Sequence, residues 1–147
     1  MSYIENTILQ ASTMILAHAK IGDVVKIGET LLADGFEELT EGGGYWITDL
    51  ETQITYYSPC VISSLEFTKE EFPFLNETWQ KHIFKEGLKL AFESFTKHIE
   101  SGGKYPYHVE VKYRKKNGGV LPLICSGKLV KINKINKYLV GTHKLQE

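Results

Sequence analysis

The sequence contains few of the residues and segments that mark specialised small proteins. Its 147 residues include two cysteines, Cys60 and Cys125, and neither belongs to a Cys-x-x-Cys pair. This excludes a disulfide framework and fits the reducing cytoplasm, which is the compartment we expect. No apolar run reaches the ~20 residues of a membrane span. The start shows no basic stretch followed by an apolar core, so we expect no signal peptide and no membrane partner.

The chain also lacks an excess of either charge. Seventeen lysines and arginines stand against eighteen acidic residues, a formal charge of −1. No overall field therefore draws the protein to nucleic acid, and we expect none as a partner. Catalytic signatures such as Gly-x-Ser-x-Gly and His-Glu-x-x-His are missing. The triplet Gly42–Gly44 precedes a strand pattern rather than a helix, unlike a phosphate-binding loop. We expect a protein that is not an enzyme.

The first part of the chain, residues 1–43, carries apolar residues at helical spacing. We predict a helical extension of two amphipathic helices here, separate from a second region at 44–147. Such stripes must be buried, either on the outer face of the chain's own sheet or against a second copy. The candidates for a homodimer interface are Ile4, Ile8, Ile15, Val24, Ile27 and Leu31.

After Gly44 the pattern changes to strands. Residues 45–50 and 54–58 are aromatic and β-branched, which predicts a hairpin, and the end of the chain holds three further strand patterns. Between them we predict a short helix beginning at Thr68 and a long helix over 80–100. The apolar face of the long helix would hold Ile83, Leu88, Phe92, Phe95 and Ile99. The predicted class is α+β, a five-stranded antiparallel sheet with helices over one face, preceded by two N-terminal helices.

Several short motifs in this order resemble the PAS family. The resemblance covers residues 44–143. Four places depart from the family pattern. Glu66 replaces a glycine and Ile83 replaces a proline. Leu121-Pro122 replaces an aromatic residue, and His143-Lys144-Leu145 replaces Asp-Ile-Thr at the joint to a following helix. The motifs that match are Gly44–Leu50, Tyr57-Ser58-Pro59, Trp79–His82, Ser101-Gly102, Tyr113–Gly118 and Val140-Gly141-Thr142.

This resemblance implies a sensory or protein-interaction domain, with a partner such as a histidine kinase among the signalling effectors. It also implies a cavity between sheet and helices that could bind a small ligand. Strand alternation and the long helix give the lining candidates. The competing interpretation is that these side chains only fill the core. The candidates are Trp46, Thr48, Tyr56, Trp79, Phe92, Phe95, Val109, Val111 and Tyr113.

The ligand itself is unknown, and two cofactors are disfavoured. Cys60 follows the second strand without the Asn and Arg of the flavin-binding relatives, so we expect no flavin adduct. Haem needs a helix histidine; His98 lies near a helix end, where the helix dipole favours a protonated ring. His82 occupies the family's loop position, where we expect it to order the loop by hydrogen bonding. His108 and Glu110 share a strand face, but without further ligands we expect no metal there.

Two alternatives remain open. Helices followed by a curved sheet also suit a cone-shaped enzyme or carrier resembling the ketosteroid isomerase group, with Tyr56, Tyr107 or Tyr113 supplying a phenol. A helix over 80–100 favours the PAS resemblance, whereas a strand there favours the cone. The third hypothesis is a purely structural dimerisation module with a filled core.

Overall fold

The computed structural model describes residues 43–132 and 134–146. The two predicted N-terminal helices and the six candidate interface residues lie outside the described residues. The described part contains three helices and five strands. In chain order they are β1 (Gly43–Asp49), β2 (Thr55–Tyr57), α1 (Pro59–Ser64), α2 (Asn76–His82), α3 (Lys85–Glu100), β3 (Tyr107–Arg114), β4 (Val120–Ile132) and β5 (Ile135–Leu145).

The strands form one antiparallel sheet in the order β2-β1-β5-β4-β3, which confirms the predicted class. The predicted first hairpin places Trp46 opposite Tyr57. The Asn117-Gly118 turn joins β3 to β4, and Gly118 there has a φ of 89°, a conformation that glycine adopts without strain. The last strand lies in the middle of the sheet, so the two ends of the described chain meet at paired central strands.

The helical prediction over 80–100 is wrong in one respect: the segment is two helices, with a break at Ile83 and Phe84. Both residues have extended backbone angles. Ile83 bridges to Tyr113, and the Phe84 N–H donates to the Lys112 carbonyl at 2.9 Å. The chain therefore pairs briefly with β3 before α3 starts, because a strand edge can satisfy backbone groups that a helix would otherwise hold.

The short helix predicted to begin at Thr68 is also wrong. Thr68 and Glu71 do exchange capping hydrogen bonds, but the segment is only a turn. The helix that the prediction missed is α1, which starts at Pro59. Proline suits the first turn of a helix because its missing N–H would have no partner there.

The helix α3 comes closest to the inner face of the sheet at small residues, and its larger Leu88, Phe95 and Ile99 pack partly buried beside them. Gly87, Ala91 and Ser94 are buried, whereas Phe92 is 47% exposed. A Cβ on Gly87 would lie 3.2 Å from Val111 Cβ, so the helix approaches β3 closely at this point. The outer face of the sheet is apolar and buried as well, at Tyr45, Ile47, Tyr56, Tyr138 and Val140. Within 43–132 and 134–146, no helix has the length and apolar character of a membrane span.

Candidate functional site: a cavity between sheet and helices

A cavity of about 470 Å³ lies between the inner face of the sheet and the helices α2 and α3. All five strands contribute to one side, and the helices line the other. This volume is in the range of small-molecule sites in proteins. The side chains around it are Trp46, Thr48, Leu50, Gln53, Tyr57, Asn76, Trp79, Gln80, Ile83, Ala91, Phe92, Phe95, Ile99, Tyr107, Val109, Val111, Tyr113, Cys125, Leu139 and His143.

The indole of Trp46 lies across the neighbouring strands, over two glycines that face each other. Gly127 of β4 pairs with Gly141 of β5. A Cβ on Gly127 would lie 2.9 Å from the indole Cη2, and one on Gly141 would lie 2.5 Å from Cζ2. Any other residue would displace the ring, so this glycine pair fixes where Trp46 lies. The indole N–H is buried and has no hydrogen-bond partner in the described part of the chain.

His143 lies within β5 and joins the aromatic floor of the cavity. Its ring stacks on Tyr57 with centroids 5.8 Å apart, and it contacts Trp46 and Tyr113 at 6.1 and 5.7 Å. Burial lowers the pKa of His143 to about 3, because a charged imidazolium would lose its hydration there. The ring is therefore neutral at neutral pH, and its Nδ1 atom has no hydrogen-bond partner among the described residues.

Three phenols and one thiol complete the floor. Burial raises the pKa of Tyr57, Tyr107 and Tyr113 above the usual value, and burial raises the pKa of the Cys125 thiol to about 12. All four groups are consequently protonated and uncharged at neutral pH. They offer the cavity hydrogen-bond donors and weak acceptors, but no reactive anion.

A chain of hydrogen bonds holds the cavity mouth where β1, β2 and α2 meet. The Thr55 hydroxyl donates to the Asn76 side-chain oxygen, so the 2.8 Å bond between the two threonines must be donated by Thr48. The Trp79 indole N–H donates to the same Asn76 oxygen at 3.4 Å. The helix α2 is thus tied to the sheet by side chains that themselves line the opening.

The structure brings the predicted lining residues together around this cavity, with one exception. Tyr56 lies on the outer face, because Trp46 pairs with Tyr57 and Ile47 with Tyr56, so strand alternation turns Tyr57 inward. The prediction for Tyr56 is therefore wrong by one residue. Whether the cavity binds a ligand stays a prediction. The residues that line the cavity as predicted are Trp46, Thr48, Trp79, Phe92, Phe95, Val109, Val111 and Tyr113.

Sequence reasoning missed His143, Tyr57 and Cys125 as lining residues. His143 was assigned to the joint after the last strand, but β5 continues to Leu145 and includes it. Its pairing with Cys125 on β4 places both side chains on the cavity face. Strand alternation was the signal that could have identified these three residues. Thr48, Val109 and Val111 face the cavity, and residues that pair with inward-facing residues on neighbouring strands face it too.

The predicted roles of two histidines are corrected. His98 is 1% exposed; its Nε2 atom accepts from the Leu129 N–H at 3.0 Å, so its Nδ1 atom donates to the Tyr105 carbonyl at 2.6 Å. It is a neutral structural ring, not a protonated one favoured by the helix dipole, and neither nitrogen is free to bind iron. His82 orders its loop by contacts with two phenylalanine rings at 4.6 and 5.6 Å rather than by hydrogen bonds among the described residues.

The strand pair His108 and Glu110 lies on the solvent side of β3, as expected. The His108 Nδ1 atom is 2.8 Å from the Ser126 hydroxyl. In the part of the chain that the structure describes, no three metal-ligating side chains come together.

The comparisons with known proteins agree with this geometry. The family model described as the PAS fold matches residues 54–143. The chain belongs to the PAS family. Its sequence shows no significant match among curated proteins.

Three solved structures illustrate how the PAS fold recurs at low sequence identity. A sensory box histidine kinase/response regulator from Burkholderia thailandensis E264 has a TM-score of 0.58 and 19% identity, covering 70% of this chain and 76% of that one. The N-terminal domain of a diguanylate cyclase with PAS/PAC sensor from Marinobacter aquaeolei gives 0.59 and 14%, covering 69% and 92%. The PAS-B domain of a Drosophila melanogaster Cycle variant with bound glycerol gives 0.55 and 11%, covering 69% and 98%.

PAS membership decides between two of the three hypotheses. Helices α2 and α3 occupy the connection between β2 and β3, where the cone-shaped enzyme required a strand. The ketosteroid-isomerase-like interpretation is therefore wrong. The chain is a PAS domain, as the motifs predicted.

Proposed function

We propose that this PAS domain senses a small molecule that binds in the cavity between the sheet and helices α2 and α3. The observation that carries the proposal is a cavity of about 470 Å³ lined by aromatic rings and uncharged polar side chains. The Cycle PAS-B domain, which is similar to this chain in fold, holds bound glycerol.

The alternative is a filled core that only mediates dimerisation. The open volume argues against it, because protein interiors pack at high density and leave few voids larger than a water molecule. Phe92 also argues against it. This ring lines the cavity while remaining half exposed, which places it at an opening rather than inside a closed core.

We further propose that the domain does no chemistry on its ligand. The ionisable groups among the described lining residues are a histidine whose pKa is about 3 and phenols and a thiol whose pKa values burial raises. A general acid or base works best with a pKa near the working pH, and these groups are far from it. Binding would instead shift the packing between helices and sheet, by an amount set by the ligand's different affinities for the two states.

The output of the domain is proposed from its relatives and its sequence. A cytoplasmic effector such as a histidine kinase fits the sensory neighbours, which include a histidine kinase and a diguanylate cyclase. The apolar stripes in residues 1–43 support a homodimer, which light scattering on the purified full chain would measure. A monomer at all concentrations would contradict the homodimer without touching the ligand proposal.

The experiment that tests ligand binding compares a filled cavity with an open one. Native mass spectrometry of the purified chain would reveal a retained small molecule, and ¹H–¹⁵N NMR would follow the cavity residues during a screen of small molecules. Ala91 is buried and lines the cavity, so Ala91→Phe should fill it and abolish binding. Leu90→Phe is the matched control, since Leu90 is 48% exposed on the same helix and does not line the cavity.

Binding that Leu90→Phe keeps and Ala91→Phe loses supports the proposal. If Ala91→Phe fails to fold, Leu139→Phe fills the cavity from the sheet side instead. The proposal is overturned if no mass is retained and no compound moves the cavity resonances, or if the filled variants bind as well as the native chain.

A further inference from the structure

We propose that one end of the domain, formed by the β4–β5 hairpin and the turn after α3, binds peripherally to an anionic lipid bilayer. This inference is independent of the cavity and goes beyond the proposed function. We expected no membrane partner because the chain shows neither a spanning segment nor a signal peptide, but a peripheral contact requires neither. Four lysines form this surface, which we call the basic end: Lys97, Lys104, Lys131 and Lys134.

The β4–β5 hairpin projects beyond the strands beside it. The pairing of β4 with β3 stops at Gly127, and the pairing of β5 with β1 stops at Tyr138. The end of the hairpin, with Lys131 and Lys134, therefore extends past both neighbouring strands. The Lys131 ammonium nitrogen lies 3.6 Å from the position that a Cβ on Gly102 would take, in the turn after α3. The hairpin end and that turn are thus parts of one surface.

The basic end carries a local excess of positive charge. Within the described part of the chain, none of its four lysines forms an ion pair with a carboxylate. Glu100 brings one negative charge to the same turn. Lys137, at the base of the hairpin, does not add to the excess, because it pairs with Glu51 and Asp49. The lysines of the basic end are therefore available to an anionic partner.

The charge of the rest of the chain orients this excess. Residues 1–42 hold seven acidic and two basic residues, so they carry −5 of the total of −1 and leave +4 on the remaining residues. They join the sheet at Gly43, which pairs with Lys144, whereas the basic end lies beyond the other end of β1, past Asp49 and Tyr138. The length of β1 separates these two places by roughly 20 Å. A chain without net positive charge can thus present one positive end to a negatively charged surface.

Exposed apolar side chains accompany the lysines. Ile135 follows Lys134 at the hairpin end and is 67% exposed, more than any other large hydrophobic side chain in the described part of the chain. Tyr105 is also exposed, and the Lys97 ammonium lies 5.3 Å from the centre of its ring. The headgroup layer of an anionic bilayer accepts both kinds of side chain without a matching pocket. An acidic protein would pair with the lysines, but it would bury Ile135 only if it also offered an apolar pocket.

The backbone of Lys134 indicates that this lysine does not serve the turn. Its φ is 67°, in the left-handed region that glycine and asparagine adopt more readily than lysine. Asparagine would therefore suit the turn better. The variant Lys134→Asn should keep or raise the melting temperature while it removes one charge from the basic end, and this separates a binding role from a structural one.

Vesicle sedimentation with the full chain tests the proposal. Vesicles of phosphatidylcholine alone are compared with vesicles in which about a third of the lipid is phosphatidylserine, at low salt and at about 0.5 M salt. We expect binding to the anionic vesicles only, at least tenfold weaker at high salt because the charges are screened. Lys131→Gln and Lys134→Asn should each weaken it about fivefold, the contribution of one lysine near an anionic surface. Ile135→Ser should weaken it roughly three- to tenfold.

Matched variants at the opposite end of the sheet serve as controls. Lys112→Gln removes an exposed lysine of β3, and Val120→Ser removes an apolar side chain of β4 that is 48% exposed. Neither should change vesicle binding by more than about twofold, because both lie away from the basic end. Urea unfolding of each variant verifies that the fold is kept.

Binding that requires anionic lipid and depends on Lys131, Lys134 and Ile135 supports the proposal. Equal binding to both kinds of vesicle overturns it, as does an equal loss in Lys112→Gln and Lys131→Gln, or no binding at low salt. If the chain binds polyglutamate but no vesicles, the basic end is a site for an acidic protein and the membrane proposal falls. Salt-sensitive self-association in light scattering, without vesicle binding, also overturns it and assigns the basic end to the acidic segment of a second copy.

Discussion

Acidification should destabilise this domain through His143 before it affects most carboxylates. The pKa of this histidine falls from 6.5 to about 3 on folding because burial disfavours its charged form. Between these two values the unfolded chain binds one more proton than the folded chain. Above pH 6.5 the buried His143 therefore does not lower the free energy of unfolding. As the pH falls from 6.5 toward 3, the free energy of unfolding decreases.

The magnitude follows from the interval. A pH of about 5 lies roughly 1.5 units below the pKa of His143 in the unfolded chain. Each pH unit corresponds to about 1.4 kcal/mol, so His143 alone should lower the free energy of unfolding by about 2 kcal/mol. A domain of this size has only about 5–15 kcal/mol in total, so the loss is measurable.

Urea unfolding of the native chain and of His143→Phe, each at about pH 7.5 and pH 5, isolates this term. All other groups titrate alike in the two proteins, so the difference between their losses reports the one imidazole. We expect the variant to lose about 2 kcal/mol less on acidification. Equal losses would refute the reasoning, because His143 would then be hydrated or hydrogen-bonded when charged in the folded state.

Three further predictions concern packing and reactivity. Replacing His98 by Phe should cost about 1–3 kcal/mol in urea unfolding, because the buried Leu129 N–H and the partly buried Tyr105 carbonyl lose their partner; a loss under about 0.5 kcal/mol would contradict this account. Gly127→Ala should cost about 1–3 kcal/mol and change the fluorescence of the displaced Trp46, since the new Cβ would lie 2.9 Å from its ring; an unchanged spectrum would contradict the clash. Cys125 should resist a thiol reagent at about pH 8, because its pKa is about 12 and it is buried, while the half-buried Cys60 reacts; a Cys60→Ser chain that still reacts quickly would contradict this.

Local patterns were sufficient to predict the sheet. The strand alternation at Val109, Val111 and Tyr113 and the Asn117-Gly118 turn depend on neighbouring residues, and the structure confirms both. The same alternation placed Trp46 and Thr48 on the cavity face. Alternation gave the wrong tyrosine in β2, because that strand has only three residues. Which of its side chains face the cavity is determined by its pairing with β1, not by its own sequence pattern.

Features that depend on distant contacts were not predictable in this way. The break at Ile83 and Phe84 exists because the backbone of β3 is available to pair there, which no helical pattern reveals. The structural role of His98 likewise depends on the Leu129 N–H, thirty-one residues away in the chain. The proposed helices in residues 1–43 stay a prediction.

The cavity itself results from where the chain places its small residues. Gly87 allows α3 to approach β3, at one edge of the sheet, and the small Ala91 side chain lines the cavity from the same helix. Gly127 and Gly141 then let the Trp46 indole lie flat along the sheet rather than stand up into the space above it. A larger residue at Ala91 would fill part of the gap, and one at Gly127 or Gly141 would displace the indole. The arrangement instead keeps an open volume above the aromatic floor, at the cost of close packing. That cost is understandable if another molecule occupies the space, and this is why the cavity, rather than any single motif, carries the proposal of ligand sensing.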